Sequence, residues 1–287
     1  MRPAHALASL HLAVALFGIA GLFGAWLALP PTAIVLGRTT IAAAALALVA
    51  GATRAWSRPT AGLALNGVVL AVHWVAFFAA IQVAGVAVGL IGFASFPLWT
   101  LVLERVTGER RAGGRDAAIA LLVVAGLLLT VRRFDMHDEV VRGLGWGVLS
   151  GATFAWLAVR NRRFARVHTA RVIALWQNAF AAACLVPVVV LLDAAVRPTA
   201  RELALLVALG VVCTALAHTL FVASLATISA HTASVVAALE PVYGIALATA
   251  LLGERPTLGM LAGCGLLVIA AVVASRDAAG RMPVSPG

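Results

Sequence analysis

The sequence predicts an all-α integral membrane protein of ten transmembrane helices, arranged as two inverted five-helix repeats. Three observations carry that expectation. The 287 residues are 63% apolar and only 11% charged, with a mean hydropathy of +1.04, whereas soluble domains have about 25% charged and 45–50% apolar residues. The apolar residues fall into ten blocks, each near the roughly 20 residues that cross a hydrocarbon core about 30 Å thick. Rare residues also recur in register between the two halves of the chain, the mark of an internal repeat.

The first block, 8–29, follows Arg2 as a secretory leader would, but its apolar run is longer than a signal core and a related segment returns later, so it reads as a span. The second, 33–52, contains Arg38, whose charge costs about 2.5–3.5 kcal/mol in hydrocarbon when unpaired. Arg38 either holds a solute carboxylate or a mobile partner, or it snorkels to the outer headgroups or sits in a fixed structural pair. In the third block, 61–82, Asn66, His73 and Phe77 share one helical face; in the fourth, 84–104, Gly92, Ser95 and Trp99 do so, with Pro97 at mid-span. The fifth, 116–131, completes the first repeat.

The sixth block, 143–160, carries Trp156 and the seventh, 170–192, carries Trp176. In the eighth, 202–226, Thr214 lines up with His218; in the ninth, 230–252, Glu240, Tyr243 and Gly244 share a face beside Pro241. The tenth runs over 257–275. The expected division is a first five-helix repeat at 1–135, a second at 136–275, and a cytoplasmic tail at 276–287 whose Pro, Gly and Ser content predicts disorder.

Arginine placement sets the orientation. With a cytoplasmic N-terminus, fourteen arginines face inward and six outward, with Arg38 inside a span, which obeys the positive-inside rule. Both termini are therefore expected in the cytoplasm. All 21 basic residues are Arg, so a phosphate-loop lysine for ATP is excluded, as is a Schiff base. The formal charge of +10 is scattered between apolar blocks, which argues against nucleic-acid binding. Cys184, Cys213 and Cys264 lie in apolar runs as packing residues.

The repeat is visible in several motifs. Gly108-Glu109-Arg110 returns as Gly253-Glu254-Arg255; Phe77, Ala79, Ala94 and Pro97 align with Phe221, Ala223, Ala238 and Pro241; Ala25-Trp26-Leu27-Ala28 echoes Ala155-Trp156-Leu157-Ala158. The Gly-Glu-Arg turns read as helix terminators with local ion pairs. A unit with an odd number of spans enters the membrane from the opposite side when repeated, so the halves must be inverted. Inverted repeats are common in secondary transporters, with the solute near the midplane between them.

On Leu36-Gly37-Arg38, Ser95-Phe96-Pro97, Leu239-Glu240-Pro241 and the two Gly-Glu-Arg turns followed by Gly114 and Gly259, the chain resembles the drug/metabolite transporter superfamily of the EamA type. By length and in-span aromatics it looks most like the YddG-type exporters of aromatic and neutral amino acids. That resemblance implies a bacterial inner-membrane carrier acting within the lipid bilayer. The first span lacks the membrane-embedded Glu that small four-helix multidrug pumps of the superfamily use.

The candidate solute-binding residues are Arg38, His73, Phe77, Trp99, Trp156, Trp176, His218, Glu240 and Tyr243, with Pro97 and Pro241 as candidate hinges. Arg38 and Glu240 are the one mid-span cation and anion, the pair a zwitterionic amino acid needs. Glu240 alternatively pairs with Arg38, exchanges protons, or bonds a carbonyl freed by Pro241. A proline in mid-helix removes a hydrogen bond and kinks the helix, whether as a hinge or as fixed curvature. No His or acid pair has metal spacing and no nucleophile–base motif appears, so neither metal, cofactor nor enzymatic activity is expected. The expectation is a monomeric or weakly oligomeric exporter of small neutral metabolites by alternating access. A sugar, nucleotide-sugar or drug carrier of the same fold is the alternative, and a receptor or scaffold without transport the alternative of another class.

Overall fold

The computed structural model describes residues 3–53, 57–108, 113–129, 137–192 and 196–280. The regular structure in these residues is all helical, because apolar segments in hydrocarbon can satisfy their backbone groups only within the segment. In order the helices are α1 (Pro3–Trp26), α2 (Pro31–Thr53), α3 (Ala61–Phe93), α4 (Phe96–Val106), α5 (Gly114–Leu128), α6 (Glu139–Phe164), α7 (Ala170–Leu192), α8 (Ala200–Gly210), α9 (Ala217–Leu225), α10 (Ala230–Ala237), α11 (Glu240–Leu252) and α12 (Leu258–Gly280). A π-helical turn, Val211–Leu216, joins α8 to α9. Taking α8 to α9 and α10 to α11 as continuous rods, six helices among the described residues are long and apolar enough to cross a membrane, with Leu258–Ala270 a shorter apolar stretch.

Polar caps fix where several helices begin. Thr60 accepts from the Leu63 amide at 3.3 Å, Asp138 from Val140 at 2.7 Å and Ser229 from Thr232 at 3.0 Å. Thr199 and Glu202 form a reciprocal capping box at the start of α8. Each cap satisfies amides that the first helical turn leaves without partners.

The boundary between the third and fourth blocks differs from the sequence expectation. There is no loop near 83; α3 continues to Phe93 across a break at Gly85, where φ is +85°, a conformation that costs glycine little. The amides of Val86 and Ala87, freed by that break, donate to the Glu254 carboxylate at 2.9 and 3.2 Å. Glu254 thus caps a distant helix rather than making a local ion pair, while Gly253, in the left-handed conformation at φ 72°, ends α11 as its motif implied. Glu109 and Arg110 of the first turn lie outside the described residues, as do Arg132, Arg133 and the last seven residues. The helix α12 runs to Gly280, five residues past the boundary drawn at 275.

Pro97 and Pro241 do not kink continuous helices. Each lies in the first turn of a new helix, α4 or α11, after a two-residue turn at Ala94-Ser95 or Ala238-Leu239. A proline has no N–H to lose at that position.

In the packing, α3 lies against α6 and α7, α1 against α9 and α11, α2 against α7 and α8, α4 against α6 and α5 against α12. Where α3 crosses α6, a Cβ on Gly92 would lie 2.9 Å from the Gly147 Cα, so the backbones touch. The largest apolar cluster among the described residues draws on α1 to α4 and α6 to α11. Phe154 is its hub, with ring centroids 4.8 Å from Phe96, 4.9 Å from Phe221 and 5.5 Å from Phe93.

Candidate functional site

A cavity opens within this cluster, lined by Phe17 and Ala20 of α1, Arg38 of α2, His73, Trp74, Phe77 and Phe93 of α3, Phe154 of α6, His218 of α9 and Glu240 of α11. The empty space among these side chains, counted together with the part open to solvent, totals about 370 Å³. Aromatic rings make most of the wall, and four polar side chains point into it from four helices.

Arg38 is 1% exposed, so it does not snorkel to the headgroups. Its guanidinium lies 4.1 Å from the centroid of Trp74 and 5.3 Å from that of Phe78, an arrangement in which ring quadrupoles offset lost hydration. Nε donates to Thr214 Oγ1 at 2.9 Å and Nη2 donates to the Cys213 carbonyl at 3.3 Å. Both partners belong to the π turn. Glu240 lines the same cavity, but among the described residues no ion pair joins it to Arg38.

The two histidines flank this centre. His73 stacks on Phe154, centroids 4.8 Å apart and planes at 20°. Its Nδ1 lies 3.0 Å from the Ser150 carbonyl and 2.9 Å from the Ser150 hydroxyl. His218 meets Trp74 edge-on at 5.9 Å, and its Nδ1 lies 3.3 Å from Asn178 Nδ2. Nε2 of His218 is buried and has no hydrogen-bond partner among the described residues. A polar atom in that condition is unfavourable by about 1–3 kcal/mol until something engages it.

Of the nine side chains proposed from sequence, Arg38, His73, Phe77, His218 and Glu240 come together here. The other four lie elsewhere. Trp156, two residues beyond Phe154, faces away and is 36% exposed, with the Arg160 guanidinium 5.4 Å from its ring. Trp176 donates from Nε1 to the Ser57 carbonyl at 2.9 Å, pinning the segment before α3. Tyr243 is 38% exposed at the crossing of α11 with Gly18 of α1. Trp99 packs half-buried on the core, outside the cavity lining. An aromatic residue in an apolar helix does not reveal which way its own face will turn.

Residues 141–276 match the EamA-like transporter family. The matched stretch runs from α6 into α12, just under half of the chain, and points to a membrane transporter of the drug/metabolite type rather than to an enzyme. A crystal structure described only as that of a protein is 24% identical in sequence, covers 98% of this chain and 99% of its own, and superposes with a TM-score of 0.76. At that identity it supports the fold alone. Among curated proteins no match is found.

The EamA-like stretch contributes Phe154, His218 and Glu240, and the preceding residues supply the rest of the cavity. Phe17, Ala20, Trp74, Phe93 and Phe154 were not singled out from sequence as site residues. Apolar residues carry no signal that separates cavity wall from ordinary core; only the polar neighbour His73, four residues before Phe77, marked one such face.

Proposed function

We propose that the protein is a secondary transporter exporting small neutral metabolites, specifically aromatic and other hydrophobic amino acids, by alternating access. The observation that carries this reading is the cavity itself: a ring-lined space holding one guanidinium and one carboxyl group that, among the described residues, form no direct ion pair. Arg38 receives the solute carboxylate, Glu240 its ammonium, and the Phe and Trp rings its side chain.

The ten blocks act as two inverted five-helix halves, in the bacterial inner membrane with both termini cytoplasmic. Packing supports the pairing of halves. Under exchange of the repeats, α1 against α9 corresponds to α6 against α3, α1 against α11 to α6 against α4, and α2 against α8 to α7 against α3, while α2 with α7 and α5 with α12 map onto themselves. The broken rods at Ala94-Ser95 and Ala238-Leu239 serve as the hinges, with Pro97 and Pro241 starting the second segment of each.

The test is counterflow of labelled phenylalanine in proteoliposomes. Wild-type protein accumulates label without an energy source. Arg38→Ala weakens phenylalanine at least about tenfold, the scale of one charge-assisted bond, and leaves competition by phenylalaninamide unchanged. Glu240→Gln weakens phenylalanine but not 3-phenylpropionate, which has no ammonium. No counterflow, or equal losses for acid and amide in Arg38→Ala, rejects the reading.

A further inference from the structure

The Arg38 guanidinium is positioned, not merely present, and the device that positions it is the π turn. The Thr214 hydroxyl donates to the Leu209 carbonyl, five residues back, at 2.7 Å. Threonines in the α-helical segments reach four back instead, as Thr39 does to Val35, Thr100 to Phe96 and Thr219 to Ala215. With its proton committed to Leu209, the Thr214 oxygen turns its lone pairs to Arg38 Nε. The Cys213 carbonyl takes an Nη2 proton beside it.

The sequence shows where the π turn comes from. From N-cap threonine to aligned phenylalanine, the third span covers Thr60 to Phe77 and the eighth covers Thr199 to Phe221, five residues more. Five residues are one α-turn of about 3.6 plus a remainder of about 1.4, and a π turn is the helical form that absorbs a surplus residue. Such turns concentrate at functional sites.

We propose that Thr214 is a positioning residue for solute recognition, and that the π turn makes the cavity selective for a planar carboxylate. This rests on the transport reading above. Guanidinium offers five N–H donors in a rigid plane. One edge, Nε with Nη2, is held by Thr214 and Cys213, and the face is held by Trp74. Held on an edge and a face, the group cannot rotate, so its remaining edge of Nη1 and Nη2 protons stands ready for two parallel bonds to a carboxylate. Preorganisation of this kind raises affinity by removing the ordering cost that a free side chain would incur on binding.

The experiment compares wild type, Arg38→Ala, Thr214→Val and Thr214→Ser in phenylalanine counterflow, with phenylalaninamide as competitor and thermal unfolding in detergent as the folding control. Thr214→Val keeps the shape and removes the hydroxyl. It raises the half-saturation concentration for phenylalanine by about fivefold to tenfold, leaves the maximal exchange rate within about twofold, and does not change competition by the amide. Thr214→Ser restores the wild-type value. Should the valine variant not fold, Thr214→Ala replaces it: it removes the same hydroxyl from Arg38 Nε, and phenylalanine affinity falls likewise. Undiminished phenylalanine affinity in the variant used, or equal losses for acid and amide, overturns the role of Thr214 while the loss in Arg38→Ala leaves the transport reading standing. No effect in Arg38→Ala overturns both.

Discussion

The carboxylate of Glu254, in the turn after α11, accepts a hydrogen bond from the backbone amide of Val86 at 2.9 Å. The contact joins residues far apart in the chain and caps the helical segment that restarts after Gly85. Carboxylates are favoured at helix N-termini, where free amides and the macrodipole both present positive charge.

Glu254→Ala is expected to lower stability by about 1 kcal/mol, the usual loss for an N-cap, with Glu254→Gln less affected because one acceptor remains. Gly85→Ala adds a side chain at φ +85°, with its Cβ 3.2 Å from Glu254 Oε1, and strain of about 1–3 kcal/mol. The two changes should combine less than additively, because the new Cβ already disturbs the cap. Thermal unfolding of the four proteins in one detergent measures this; strict additivity would argue that the cap survives in the glycine variant.

Phe154 should be the most sensitive aromatic in the chain. Its ring meets Phe17, His73, Phe93, Phe96 and Phe221, so Phe154→Ala opens a void and costs about 3–5 kcal/mol. Phe154→Leu retains volume and should cost less than half as much. A melting temperature for Phe154→Ala equal to wild type would contradict the hub role.

A buried carboxamide cluster joins three helices. The Oδ1 of Asn161 on α6 accepts from Asn66 Nδ2 on α3 at 3.1 Å and from Gln177 Nε2 on α7, while its Nδ2 donates to Gln177 Oε1 at 3.3 Å. Asn161→Leu strands both neighbours and should destabilise by about 1–3 kcal/mol. Asn66→Ala should cost less, since it leaves the Asn161–Gln177 pair intact. The reverse order, again by thermal unfolding, would show that the network is not centred on Asn161.

Membrane topology yields a direct check. Val167, 73% exposed between α6 and α7, and Arg197, before α8, fall on opposite sides of the bilayer in the proposed arrangement. A cysteine at 167 should react with an impermeant maleimide only after cells are opened, and one at 197 in intact cells. The same sidedness for both would remove the inverted repeat.

Membrane residence and the helical nature of the chain were legible from composition and helical period, because hydrocarbon admits only helices, and Arg38, His73, His218 and Glu240 stood out as polar side chains in apolar blocks. The orientation of individual faces was not. Trp156 and Phe154 sit two residues apart in the same apolar block, yet one faces outward and the other lines the cavity; neighbouring helices, not local sequence, choose between them. Proline mid-block announced the breaks at 97 and 241 without saying that the chain would end one helix and start another there.

Sequence alone thus determined what must be buried in lipid and which side chains are too polar to be there idly, since transfer free energies belong to single residues. Tertiary structure decided which of them meet. Arg38 takes Thr214 and the Cys213 carbonyl rather than Glu240 as its partners, because a π turn in a distant helix brings a hydroxyl and a carbonyl to the guanidinium edge, a geometry that exists only after packing.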